Sequence, residues 1–225
     1  MATRPVFIPR RSKTAFVLET PVEFKWFAGM AVSQKQRSID SLHNAAKNRL
    51  SLTKILEISS KSPEAIGVRL SAFNLLLPLG EKRVSVEVAF QAGKIFEHGG
   101  PYTDLLLKSS REAKSDKRLR ESGSLIGFTF SGEAWPCEPR TAFYDWVYLQ
   151  ALDANLQLSS RLSEYEAFTD IEFNPGKSLN CQARSASLYV SLKQAGLLKE
   201  ALTSKDCYLR ILGEGAGEET QYRLC

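Results

Sequence analysis

The chain has 225 residues, 43% hydrophobic and 24% charged, with net charge +5 and a sequence pI near 9.0. A globular chain of this size buries about 70–75% of its unfolded surface and needs no disulfide or metal staple. The basic balance favours an anionic partner by a small margin, and no apolar run is long enough to span a membrane.

The first residues read as short extended pieces at 6–8, 15–18 and 22–27, broken by Pro9, Pro21 and Gly29. Arg4, Arg10, Arg11 and Lys13 have no apolar stretch behind them, so no signal peptide is expected. Residues 38–48 read as a helix. The alternation of Ile55, Leu56 and Ile58 within 52–59 suggests a strand. Ser62-Pro63-Glu64 is a helix-start signal, with a serine cap, a first-turn proline and an acid near the positive dipole end. Residues 68–77 are apolar and belong in the core, and Gly80-Glu81-Lys82 reads as a turn. Residues 86–96 read as a buried helix stopped by Gly99-Gly100-Pro101. Ser109-Ser110-Arg111-Glu112 is a capping box opening a charged helix that Gly123 can end. A strand is expected over 125–130. A long helix is expected over 141–162, apolar mostly on one face. Asn174-Pro175-Gly176 reads as a turn, and a last helix is expected over 180–194, ended at Gly196. Helices dominate with short strands between them, so the fold class is α+β, in one domain.

Cys137, Cys181, Cys207 and Cys225 form no C-x-x-C pair and stand at no ligand spacing from His43 or His98, both expected at the surface. That argues against a metal site or a disulfide framework and suits a reducing, cytoplasmic setting. The most informative segment is 85–96. Glu87, Gln91 and Lys94 lie at i, i+4 and i+7, one face of a helix that is otherwise apolar or small. A carboxylate, an amide and an ammonium on such a helix either line a pocket or mark its exposed side.

Glu87-x-Ala89-Phe90-Gln91-Ala92-x-Lys94-x-Phe96 resembles the signature helix of the NADAR superfamily, which includes the YbiA-like proteins. Leu70-Ser71-Ala72-Phe73-Asn74 is similar to the family's Phe-Ser-Asn-Phe motif, with Ala72 where Asn is usual. Trp135 resembles the tryptophan before the long helix. Asp170-Ile171-Glu172-Phe173 resembles the Asp-x-x-Trp element, with Phe173 for Trp. Asn180 resembles the asparagine that opens the last helix, and Val88 stands where a His is usual. Within the superfamily the chain is most similar to antitoxins paired with DNA ADP-ribosyltransferase toxins of the DarT type. Phe24-Lys25-Trp26-Phe27, residues 33–39, Gly99-Gly100-Pro101-Tyr102, Phe143-Tyr144-Asp145-Trp146 and residues 168–175 carry that likeness. The resemblance covers about residues 5–198 and leaves 199–225 as a C-terminal extension.

The resemblance implies a YbiA-like fold and an N-glycosidase that removes ADP-ribose from guanine in DNA, with no cofactor and no metal. It implies ADP-ribosylated DNA as substrate, its guanine single-stranded or flipped out, and ADP-ribose as product. The cognate toxin would be its partner, and no membrane is involved. Cleavage builds positive charge on the ribose, so one carboxylate must face that charge or activate water, and an acid must help the nitrogen leave. Glu87 and Asp170 are the expected pair. Lys35 is a further catalytic candidate, since an amine can trap an opened ribose as a Schiff base. Ser71, Phe73, Asn74, Gln91, Lys94, Trp135 and Asn180 are the expected substrate contacts, Lys94 for a phosphate and the aromatics for a base. The bland alternatives are core packing for Trp135 and Phe73, a turn cap for Asp170 and a helix cap for Asn180. Lys114, Lys117 and Arg118, within the basic run 108–120, are expected to hold the DNA backbone, or else form a solvated face. Two rival functions stand beside this one: a YbiA-like glycosidase of a small phosphorylated metabolite, and a non-enzymatic antitoxin that works by binding its toxin.

Overall fold

The structure is a computed structural model and describes residues 1–12 and 15–222, with backbone alone over 214–222. Lys13 and Cys225 lie outside the described residues. Helices make up 44% of the chain and strands 20%, an α+β arrangement in which helices dominate. The chain forms two compact units. One comprises 1–70 with 157–225, and the other is the segment 71–156 inserted between them.

In chain order, β1 is Ala2–Pro9 and β2 is Val17–Phe24, followed by α1, Val32–Leu50. β3 is Ile55–Glu57 and α2 is Ala65–Arg69. The inserted unit holds β4 (Leu76–Leu79), β5 (Lys82–Ser85), α3 (Val86–Ala92) and β6 (Lys94–Phe96). It continues with α4 (Ser110–Ser115), α5 (Arg118–Glu121), β7 (Leu125–Phe130), β8 (Glu133–Trp135) and α6 (Ala142–Asp153). A short α7, Leu156–Ser159, leads back to β9 (Ala167–Thr169), α8 (Gln182–Gln194), α9 (Leu198–Ala201) and α10 (Lys205–Tyr222).

The outer unit is built on one sheet of order β2-β1-β9-β3. Pro9 ends β1 as the sequence reads, but Pro21 does not break β2: it faces Pro5 within the β1–β2 ladder. β2 is an edge strand, and β1 meets β9 only at Phe7, so neither proline withholds an N–H from a neighbour beyond that ladder. α1 buries Ser38, Ile39, Leu42 and Ala46, one stripe of its surface, against Val6, Val22, Phe24, Ile55 and Ala167. Phe7 and Phe168 alternate with these strand residues, so they point to the opposite face. α8 packs on β1 and β9. α1 is longer than the expected 38–48 because its cap position, Ala31, offers no side-chain acceptor and so leaves no mark in the sequence. The strand expected over 52–59 shrinks to β3, three residues paired in parallel with β9. The cap position of α2 is Glu64. Ser62 is two residues early, and its Oγ accepts from the Glu64 N–H.

In the inserted unit, β4 and β5 form a hairpin around the expected turn at Gly80, and β6-β7-β8 form a second small sheet. The strand over 125–130 and the Ser109–Glu112 capping box stand as the sequence reads. Three helices are shorter than expected. The 86–96 helix ends at Gly93, whose C=O accepts from Thr129 N–H at 2.7 Å, and the chain continues as β6. A Cβ at Gly93 would lie 2.5 Å from the Thr129 carbonyl oxygen, so the approach requires glycine. The 109–123 helix is split into α4 and α5 at Asp116. The 141–162 helix stops at Asp153, and α6 is buried nearly all round from Ala142 to Leu152 rather than on one face. No helix among the described residues is long and apolar enough to cross a membrane.

Candidate functional site

α3 carries the polar cluster of the inserted unit. Its start is set by Ser85, whose Oγ accepts from the Val88 N–H at 3.2 Å, a cap the sequence reading passed over. Glu87 sits in the first turn and is 6% exposed. Its N–H donates to the Ala72 carbonyl at 2.9 Å, which ties the helix to the segment carrying Ser71, Phe73 and Asn74. One helical turn on, Gln91 donates from Nε2 to Glu87 Oε1 at 2.8 Å. Its own Oε1 is buried with no hydrogen-bond partner. An unmet buried acceptor is expensive unless a donor arrives from a ligand or water.

Lys94 is not the third member of a helical stripe. It lies on β6, opposite Phe128. Its Nζ stands 4.7 Å from the centre of the Phe90 ring. Burial lowers its pKa; Glu87 opposes that, and the charge of Lys114 adds to it. Lys114 reaches the same carboxylate from α4, with Nζ 3.9 Å from Glu87 Oε1 and 5.0 Å from the Phe73 ring centre. One carboxylate, one amide and two ammonium groups therefore converge within this unit. Ser71 is buried and accepts from Asn74 Nδ2, while Asn74 itself is exposed and Phe73 half-buried. Trp135 is a core residue, 2% exposed and packed on Phe143 and Trp146, so its ring is not free to stack on a ligand. An open cleft of about 460 Å³ lined by Leu77, Phe130, Trp146 and Asp153 contains none of these polar residues.

Arg118 is clamped by Asp104 at 2.7 Å and Asp116 at 2.9 Å and lies over Tyr102, while Lys117 is exposed.

In the outer unit, Asp170 is buried just after β9. Its Oδ1 accepts from the Glu172 and Phe173 N–H groups at 3.0 and 3.1 Å, a local turn cap. Burial holds its pKa well above the usual carboxylate range, and the nearby Glu57 pushes the same way. Glu57 itself, on β3, accepts from Ile171 N–H and Thr169 Oγ1, and burial raises its pKa too. The sequence reading did not single out Glu57. It also placed His43 at the surface, where only His98 lies. His43 is instead half-buried, with Nε2 2.8 Å from Thr169 Oγ1. Because the Thr169 hydroxyl donates to Glu57, His43 is the donor in its contact with Thr169, giving a relay from His43 through Thr169 to Glu57. Cys181 Sγ lies 4.0 Å from Asp170 Oδ2 and occupies the cap position of α8 expected for Asn180. The Asn180 Oδ1 is buried without a partner. Lys35, on α1, sits 4.8 Å over the Trp26 ring.

Burial lowers the His43 pKa from 6.5 to about 4, with Lys47 adding to the shift. Between these values the unfolded chain binds the proton and the folded one does not. The stability this neutral histidine provides is therefore present above pH 6.5 and is lost as pH falls towards about 4. His43→Gln keeps a donor for Thr169 but cannot titrate. Denaturant melts should show the variant losing about 2 kcal/mol less than the parent between pH 6.5 and 4.5. Parallel losses would mean that His43 titrates normally.

Among the described residues, no group of three or more His, Cys, Asp or Glu side chains is placed to hold a metal ion. Compared with known families, residues 2–222 match the family model described as the DarT1-associated NADAR antitoxin. No curated protein matches the chain.

Proposed function

The chain belongs to the DarT1-associated NADAR antitoxin family, and on that premise we propose that it hydrolyses the N-glycosidic bond joining ADP-ribose to guanine in DNA. It would thereby reverse, in the cytosol, the modification made by its cognate toxin. The observation that carries this reading is the Glu87–Gln91 pair: a buried carboxylate and an unmet amide oxygen one helical turn apart, with Lys94 and Lys114 around them.

The chemistry follows from these groups. As the bond from the anomeric carbon to the guanine nitrogen breaks, its electrons leave with the nitrogen and positive charge grows on the ribose. Glu87 faces that charge and takes a proton from the attacking water, whose oxygen bonds the anomeric carbon. The Gln91 Oε1 accepts from a ribose hydroxyl, which satisfies it only when substrate is bound. Lys94 and Lys114 match the two phosphates of ADP-ribose, and the half-buried Phe73 ring offers a stacking face. The guanine nitrogen must receive a proton. Asp170, whose pKa burial raises, has the chemistry of that acid.

The test is incubation with an oligonucleotide carrying ADP-ribosylated guanine, followed by chromatography. Free ADP-ribose and unmodified guanine are expected, at a rate that EDTA does not change. Release of ADP-ribose that stops with chelator and returns with zinc or magnesium would place a metal in the reaction. No release from either the oligonucleotide or the modified nucleoside would end the hydrolase reading and leave an antitoxin that acts by binding.

A further inference from the structure

We propose that the surface formed by Lys25, Trp26 and Phe27 beyond β2, with Arg37 of α1, is a stacking platform that holds single-stranded DNA. This rests on the DNA substrate proposed above. Four cations lie over two aromatic rings here. Arg4 and Lys35 are 5.4 and 4.8 Å from the Trp26 ring centre, and Lys25 and Arg37 are 5.2 and 4.1 Å from that of Phe27. Both rings are half-buried, so they are anchored yet keep open surface. Among the described residues, Lys25, Lys35 and Arg37 form no ion pair with a carboxylate, whereas Arg118 in the 108–120 run is held by two. The loop that follows continues the apolar surface with Met30, which is 94% exposed. Beside Phe27 is an open depression of about 350 Å³ lined by Arg37, Asp40, Ser41 and Asn44, and Asp40 is its one carboxylate.

Aromatic faces interleaved with unpaired cations are what an unpaired strand requires, bases on the rings and phosphates on the cations. A base stacked on a ring is worth more than an exposed cation–π contact. A bound strand therefore displaces the lysine and arginine heads from the rings towards its phosphates, where their charge is most useful.

The test is fluorescence anisotropy of a labelled, unmodified oligothymidylate across a salt series. Phe27→Leu keeps apolar bulk but removes the stacking face. It should weaken binding about tenfold with an unchanged salt slope. The double variant Lys25→Gln/Arg37→Gln keeps the ring and loses two phosphate contacts. It should also bind about tenfold more weakly, with a log–log slope shallower by about 1.4. Lys193→Gln/Lys199→Gln, two exposed cations elsewhere, should bind as the parent does. Parental binding by both platform variants, or a slope lost as much in the Lys193/Lys199 variant, would overturn the proposal. Release of ADP-ribose from a modified mononucleoside separates the two claims. A protein that hydrolyses the nucleoside but ignores the platform substitutions loses this proposal alone. A protein that shows the platform effects but hydrolyses nothing loses the enzymatic reading alone.

Discussion

Glu87→Gln is expected to slow release of ADP-ribose at least about a hundredfold, the usual scale for removing a positioned acid or base. The substitution is nearly isosteric. Glutamine still offers an oxygen to the Gln91 amide, and the backbone bond to the Ala72 carbonyl is untouched. What disappears is the negative charge that would face the ribose cation, together with the counter-charge of Lys114 at 3.9 Å and of the half-buried Lys94. Lys114 is largely exposed and that ion pair is long, so its loss should change stability little. The melting temperature should therefore stay close to that of the parent while turnover collapses. Near-normal turnover in Glu87→Gln would remove this carboxylate from the mechanism.

The second large effect is expected at Asp170. Its structural duty is met by one oxygen, which accepts from the Glu172 and Phe173 N–H groups. Asparagine retains that oxygen, and because burial already favours the uncharged carboxyl, the substitution buries no new polar cost. Asp170→Asn should thus fold normally. It cannot donate an acidic proton, so ADP-ribose release should fall at least about a hundredfold. A variant that folds and turns over like the parent would reduce Asp170 to the turn cap that its geometry already explains. Asp170→Ala is the harsher companion. It strands the Glu172 N–H, at about 1–3 kcal/mol if left unmet, while the Phe173 N–H keeps the Asp170 backbone carbonyl at 3.2 Å, and it should lower the melting temperature whatever the catalytic outcome.

Much of the fold was legible where the signal is local. The strand at 125–130 has its turn-forming neighbours in sequence, and the Ser109–Glu112 box satisfies its own donors within one turn. The turn at Gly80 needs only a positive φ, which is 60° here. Errors arose where distant residues decide. Nothing near Lys94 announces that Gly93 will meet the Thr129 carbonyl, so the i, i+4, i+7 stripe ran one residue type too far. Trp135 could not be assigned to the core without the rings of Phe143 and Trp146 beside it. The site was legible in the same measure. Glu87 and Gln91 sit at helical spacing on one face, as the sequence reads, and are hydrogen-bonded to each other. Asp170 was singled out, but Glu57 and His43, which share its surroundings, lie on elements far away in the chain and carry no motif. Arg118 shows the converse case, a residue that looks functional in sequence and is held by ion pairs with Asp104 and Asp116.

The pairing of β3 with β9 joins residues 112 positions apart. A ribosome adding about 5–20 residues per second takes on the order of 5–20 s to cover that interval. Throughout it, β3 waits as an unpartnered apolar edge, and Glu57 waits for the Ile171 N–H and the Thr169 hydroxyl. The ladders of the inserted segment close among near neighbours and can form during the delay. Contacts of long sequence separation are also the slow ones to find after release. A cell relying on this antitoxin therefore faces a latency written into the topology. Copies already folded before the toxin appears are worth more than copies made in response to it.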